Sequence, residues 1–356
     1  MSGVRPFDKG DIPAVIALRR RCALPSEQRD EVALASYLGE LFFGNPWYDE
    51  ALRSFVVTDR QDGVVGFLGV VPRRMSGEGR PLHVATTMHL VVAPDASPVV
   101  GVQLLRALFD GPQALALADV ASPSARRLWE RLGGMTVTSS SLAWIRPLRP
   151  VRHLLASVVH GRILARAGRL VGPLDALSTR LLPACRQPGA PAQGHRQPLS
   201  QSELLDCLAE NLDGRAVRGD YDSASLAWLL DMMARKRRFG RLRMMKVVEA
   251  SGERLGWYLT YIEPGGQARV AHFGARPSAR SIVLDHLFHD AWLAGCAAVS
   301  GRFDARLVEA LVERRCLVYG PGAWVLVHSR DRGLLETVAR DQAALTRLDA
   351  EWWTAF

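Results

Sequence analysis

No run of consecutive apolar residues approaches the ~18 needed to cross a bilayer, and the opening residues, with Arg5, Asp8 and Lys9, carry no apolar leader core. Both absences lead us to expect a cytoplasmic protein. Cysteine is scarce: Cys22, Cys185, Cys207, Cys296 and Cys316 fall without CxxC or Cys/His spacing, so reduced thiols and no structural zinc are expected. Cys316 reads as a small buried hydrophobe in preference to a nucleophile. His286 and His289 stand one helical turn apart without an evident third ligand, so no metal is expected. Aromatics make up 7% of the chain and do not interleave with the densest basic cluster, Arg235 to Arg238. That pattern does not suit a single-strand nucleic-acid binder, and nucleic acid is not expected as a partner.

The 356 residues suffice for two domains, and 48% hydrophobic with 23% charged residues is the composition of a core-forming protein. Net charge is +9, much of the basic side being arginine. Such a balance suits an anionic cofactor, an acidic polymer or the inner membrane surface.

The stretch from Leu82 to Leu108 organises the rest. Val84, Thr86, His89, Val91 and Val92 read as a strand, Pro94-Asp95 as a turn, and Ser97-Pro98 as the cap of a helix bearing Leu104, Leu105 and Leu108. A strand feeding a helix through a short loop converges backbone N–H groups on one point, a natural phosphate cradle. Before it come a short strand at Val4, helices to Arg21 and over Glu31 to Phe43, and two strands joined by the Asp62-Gly63 turn. After it come a strand over Ala114 to Val120, a helix over Ser122 to Leu132 and a final strand over Met135 to Ile145.

This β-α-α-β-β-β-α-β-α-β order over residues 1–148 resembles the GNAT superfamily of acyl-CoA-dependent N-acyltransferases. Ala96, Val99 and Gly101 fall at the three positions of that family's R/Q-x-x-G-x-G/A pyrophosphate loop, where Gly101 matches, Val99 replaces a glycine and Ala96 a polar residue. The resemblance implies acetyl-CoA or another acyl-CoA as cosubstrate, bound by Leu90, Val91 and Val92 of the strand and by Ala96, Ser97, Val99, Val100, Gly101 and Val102 of the loop and helix, with Ser122 beyond. Ser122-Pro123-Ser124-Ala125-Arg126-Arg127-Leu128-Trp129 matches the family's N-x-x-A-x-x-x-Y, with Trp129 where a tyrosine often protonates the leaving thiolate. Tryptophan has no proton to give at neutral pH.

Residues 149–200 read as a basic amphipathic helical linker ending in the Pro/Gly-rich Gln187 to Pro198. The stretch 152–182 either bridges the halves or lies peripherally on the inner membrane face. Residues 201–356 repeat the strand and helix order in outline and again resemble a GNAT domain, with the loop Ala275 to Ser281 at the pyrophosphate position. The fold expected is therefore α/β (an α+β mixed sheet), as two GNAT-like domains. The tail, Leu348 to Trp353, further resembles bacterial GNAT proteins associated with exopolysaccharide gene clusters.

Acyl transfer to an amine needs a base, a polarised carbonyl and a proton for the thiolate. His89, Asp119 and, in the second half, His272 are the candidate catalytic residues. His89 reads equally as a core histidine, and Asp119 as a cap of the Ser122 helix. Trp47 and Tyr48 lie in the loop where the family recognises acceptors, or pack there. Tyr258 and Tyr261 fall on opposite faces of one strand, so one is expected in a cleft. The activity expected is acyl-CoA-dependent N-acyl transfer to an amino sugar or amino-acid derivative; the alternative is a non-catalytic binding or scaffold protein.

Overall fold

The computed structural model describes residues 3–22, 30–77, 79–158, 175, 187–210, 214–320 and 322–354. The first half runs β1 (Val4–Pro6), α1 (Ile12–Cys22), α2 (Glu31–Phe43), β2 (Phe55–Thr58), β3 (Val64–Gly77), β4 (Arg80–Val92), α3 (Val99–Phe109), β5 (Leu115–Ala121), α4 (Pro123–Arg131), β6 (Met135–Thr136), α5 (Thr138–Ser141), β7 (Ala143–Pro147) and α6 (Pro150–Val158). The second runs β8 (His195–Pro198), α7 (Gln201–Ala209), β9 (Val217–Gly219), α8 (Ser223–Ala234), β10 (Arg241–Val248), β11 (Arg254–Ile262), β12 (Gln267–Ala275), α9 (Arg280–Leu293), β13 (Ala298–Arg302), α10 (Val308–Glu313), β14 (Leu317–Tyr319), β15 (Trp324–His328) and α11 (Arg332–Ala339). A single 3-10 turn, Glu351–Trp353, follows. The basic stretch 152–182 lies outside the described residues beyond Val158, Asp175 excepted.

Strand periodicity decides the layers. Val56, Phe67 and Val71 face one way, into a core with α1 and α2, while Val57, Leu68 and Val70 face the other, onto α3. The β2–β3 hairpin closes as Asp62-Gly63 leads one to expect, with Asp62 at φ +60° and the Asp59 carboxylate accepting from the Gln61 and Gly63 amides.

Two mixed sheets result, ordered β1-β2-β3-β4-β5-β15-β6 with β9 beside β3, and β14-β7-β13-β12-β11-β10-β8. Each holds an antiparallel hairpin leading into one parallel pair, β3–β4 into β5 and β11–β12 into β13. A helix, α3 or α9, makes each parallel crossover.

The halves exchange strands. β7 of the first half pairs with β13 and β14 in the second sheet, and β15 of the second half pairs with β5 and β6 in the first. The single strand expected over Met135 to Ile145 is instead broken by α5, where the Ser141 hydroxyl donates to Val137 and accepts from the Val325 amide of β15. Past that break the chain crosses to the other sheet. Trp144 of β7 is buried beside Phe288, over Gly301, where a Cβ would stand 2.6 Å from the indole. The expected linker also does more than connect, since His195–Pro198 at its end forms β8 on the edge of the second sheet.

One core joins both halves. Phe67, Met88 and Leu38 of the first pack in the same cluster as Leu226, Leu229, Trp257 and Tyr261 of the second, with Leu348 and Trp353 of the tail. Leu348, Ala350 and Trp353 are wholly buried. No helix among the described residues is long and apolar enough to cross a membrane.

Candidate active site

β4 and β5 pair in parallel only from Val84 to Thr86, opposite Leu115 to Leu117, and then part. Their divergence coincides with a bulge in β4, where two residues, His89 and Leu90, stand between the partners of Phe67 and Gly69. His89 sits at φ +57°, a conformation few non-glycine residues hold and one that packing must enforce. Its carbonyl-side neighbours, Leu90 to Val92, form the free edge of the gap.

The tail enters this gap. The Thr86 hydroxyl donates to the Asp349 carbonyl (3.1 Å), and the buried Arg73 donates to the Leu348 carbonyl (2.8 Å) and to the Tyr221 hydroxyl (3.2 Å). Tyr221 in turn donates to Asp349. Thus anchored, the 3-10 turn lies between the strands: the His89 amide donates to Glu351 Oε1 (3.2 Å) from β4, while the Trp352 amide donates to Asp119 Oδ1 (3.0 Å) on β5.

Asp119 has no accessible side-chain surface, and Arg302 of the second sheet donates to its Oδ2 at 2.7 Å. The Ser122 helix is capped by Ser122 itself, which accepts from the Ala125 amide, so Asp119 is not its cap. Glu351 keeps one fifth of its side chain accessible. Burial, and then the Asp119 carboxylate beside it, push the Glu351 carboxyl up to about 8. Lys236, one of three lysines in the chain, closes the site. Its ammonium donates to the Trp352 carbonyl and lies over the Phe239 and Trp352 rings, 4.3 and 4.7 Å from their centroids. Burial foremost, then the Arg238 cation, pull Lys236 down to about 7.

His89 is placed at this site in a different role from a base. Its Nδ1 lies 2.7 Å from Arg19 Nη1, which can only donate, so Nδ1 accepts and the ring proton sits on Nε2. Burial, with the Arg19 cation, holds the imidazole well below the usual histidine range. A neutral ring with a buried Nε2 that has no hydrogen-bond partner is a donor in waiting.

The coenzyme residues implied by the resemblance follow in order along one edge: Leu90, Val91 and Val92 on β4, Ala96 and Ser97 in the loop, and Val99, Val100, Gly101 and Val102 in the first turn of α3. No side chain caps that helix at Pro98, and Val99 points outward, half exposed. Gly101 lets α3 approach α4, since a Cβ there would meet Leu128 at 3.1 Å.

Other candidates lie elsewhere. His272 is on β12, its Nδ1 accepting from Trp257 Nε1 at 3.3 Å. Tyr258 and Tyr261 are both buried, against the expectation that one faces a cleft: Tyr258 lies 3.3 Å from Asp290 and Tyr261 donates to the Met233 carbonyl at 2.8 Å. Face alternation is correct, but α8 and α9 cover both faces of β11. Trp47 packs with Arg73 stacked 3.8 Å over its ring, while Tyr48 is exposed. Trp129 is buried against Phe109. Glu351, Lys236 and Arg302 were not among the sequence candidates; the one available signal was an acid and two tryptophans set together in the tail.

No family model matches the sequence, and no curated protein does. Solved structures do. A conserved protein of Enterococcus faecalis, described as a probable N-acyltransferase, superposes with a TM-score of 0.58 at 10% identity, over 92% of this chain and 73% of its own. A GCN5-related N-acetyltransferase from Anabaena variabilis gives 0.58 at 12% identity, over 92% and 72%. The Saccharomyces cerevisiae N-myristoyltransferase with bound myristoyl-CoA gives 0.51 at 9% identity, over 92% and 79%. At such identities it is the fold that is shared, and this chain has the mixed α/β fold of the GCN5-related N-acyltransferases.

Proposed function

We propose that the protein is an acyl-CoA-dependent N-acyltransferase built from two GNAT-like halves, with its reaction centre in the β4/β5 gap of the first. The observation that carries this reading is the Glu351 carboxyl, held between the β4 bulge and Asp119 and still reached by solvent. The uncapped start of α3 fits the coenzyme's diphosphate, because its first-turn N–H groups meet no protein side chain. When bound, the coenzyme supplies an activated thioester carbonyl.

The residues present divide the remaining work. Glu351, as carboxylate, takes the proton of an incoming ammonium and so frees the lone pair that forms the C–N bond. As the C–S bond breaks, the same carboxylic acid holds the proton that the leaving sulfur needs, so charge balances without Trp129. The neutral His89 Nε2–H offers a hydrogen bond where negative charge develops on oxygen. Lys236 and Arg19 hold positive charge near the carboxylate, and the packed tail excludes bulk water.

Titration calorimetry of the full chain with acetyl-CoA and with a long-chain acyl-CoA tests the reading. Saturation at ~100 times Kd adds about 2.7 kcal/mol of stability; neither heat nor a raised melting temperature would refute it. The buried Trp129, in a place where related enzymes carry an acid, favours a second reading, a GNAT-fold binding or scaffold protein. Binding of coenzyme without turnover of any amine would select it.

A further inference from the structure

β12 and β13 repeat the divergence of β4 and β5. They pair only from Gln267 to Arg269, opposite Ala298 to Ser300, and then separate around a bulge. In the first half the tail turn occupies the gap. In the second a cavity of about 170 Å³ remains, walled by Val270 to Gly274 of β12 and by Arg302, and roofed by Ala343 to Arg347. On the side where a coenzyme would enter, between Ala275, Arg280 and Leu307, the free space is only about 10 Å³, and Arg280 donates across it to the Arg306 carbonyl. That is room for a single water, so a pantetheine arm cannot thread this gap and any ligand must be small.

The charges of the lining are unequal. Five guanidinium groups, Arg215, Arg218, Arg302, Arg306 and Arg347, meet three carboxylates, Asp304, Asp341 and Asp349. All three carboxylates are engaged: Asp304 with Arg306 and Arg215, Asp341 with Arg215, and Asp349 with Tyr221 and the Thr346 amide. A fourth, Asp119, takes one arm of Arg302. One positive charge is left over, which a monoanion neutralises. Donors are also left over. Arg302 gives Nη1 to the Leu345 carbonyl and Nη2 to Asp119; Arg347 gives Nη1 to the Val270 carbonyl, and its Nε is buried with no hydrogen-bond partner. A buried N–H in that state costs stability that a ligand oxygen restores. Trp257, Phe273 and Leu345 supply apolar wall beside these donors.

We propose that this second gap binds a small molecule through a carboxylate, held by Arg302 and Arg347, with its apolar portion against Trp257 and Phe273. A carboxylate matches the planar, bidentate geometry of guanidinium and the single surplus charge, whereas a dianionic phosphate would leave charge unbalanced. The site does not depend on acyl transfer in the first half.

The full chain is titrated with acetate, propionate and benzoate, with acetamide, propionamide and benzamide as neutral isosteres, and with inorganic phosphate. At least one carboxylate is expected to bind and raise the melting temperature, with its amide at least tenfold weaker. Arg347→Lys, which keeps the charge and loses the fork, should weaken that carboxylate at least tenfold while leaving acetyl-CoA affinity unchanged, and Ala344→Phe should fill the cavity and abolish binding. Equal effects of acids and amides, binding of phosphate alone, or affinity unchanged in Arg347→Lys would overturn the proposal. Carboxylate binding without acyl-CoA binding would sink the acyl-transfer reading and leave this one standing; the reverse result would do the opposite.

Discussion

Arg302 Nη2 of one sheet donates to Asp119 Oδ2 of the other at 2.7 Å, the carboxylate having no accessible surface. Asp119 also accepts the Trp352 amide, so this one ion pair ties together both sheets and the tail. Arg302→Met would leave Asp119 buried and unpaired. We expect a loss of about 3–5 kcal/mol, read from denaturant midpoints at neutral pH. The double variant Arg302→Met/Asp119→Leu should regain part of it; an equal or larger loss in the double variant would mean that the pair is not what is being measured.

Glu351→Gln keeps the shape of the acid and removes its charge. Under the acyl-transfer reading, turnover should fall at least ~10²-fold, as loss of a general base does, with acyl-CoA affinity unchanged. The wild-type rate should climb with pH and level off above about 8, as the carboxylate form accumulates.

The same group predicts a pH dependence of stability. Its folded value lies above the ordinary carboxyl value, so the folded state binds the extra proton between about pH 4.5 and 8. Wild-type stability from this group is therefore full below that window and is lost as pH rises through about 8. The glutamine variant lacks the loss. Its melting temperature relative to wild type should be higher at pH 9 than at pH 5, and a difference independent of pH would contradict the placement of Glu351.

Trp353→Ala removes a wholly buried ring in T-shaped contact with Trp228 at 5.5 Å. A cost of about 3–5 kcal/mol is expected. Chemical unfolding should show it as one transition shifted as a whole, because the tail shares its core with both halves.

Gly301→Ala tests the crossing of β7. The added methyl meets the Trp144 ring at 2.6 Å, and overpacking of this kind costs about 1–3 kcal/mol. Trp144→Leu in the same background makes room and should recover some of that loss.

Much of the architecture was legible in the residues. Val56/Val57 and Phe67/Leu68 set out strand faces by alternation alone, Asp62-Gly63 marked its hairpin, and Ser97-Pro98 marked the start of α3. Strand ownership was not legible. Alternation in Trp324–His328 says that a strand forms and which side is apolar, yet nothing local says which of two sheets will pair with it. The site was half legible: His89 and Asp119 do flank the gap, on opposite strands. Glu351 was hidden because its significance comes from a contact made across more than 200 residues, and a short aperiodic tail carries no pattern to announce it. Tyr258 and Tyr261 show the converse, where alternation is right but helices cover both faces.

The exchanged strands also set where this chain can be cut and recombined. A chimera joined at the Pro/Gly-rich connector would give each donor sheet a strand tuned to the other donor, Trp144 without its glycine and Val325 without its serine. Crossovers placed at Leu142 and again near Gly322 would move each sheet with its own members. In this protein the unit of inheritance is the sheet, and it is discontinuous in sequence.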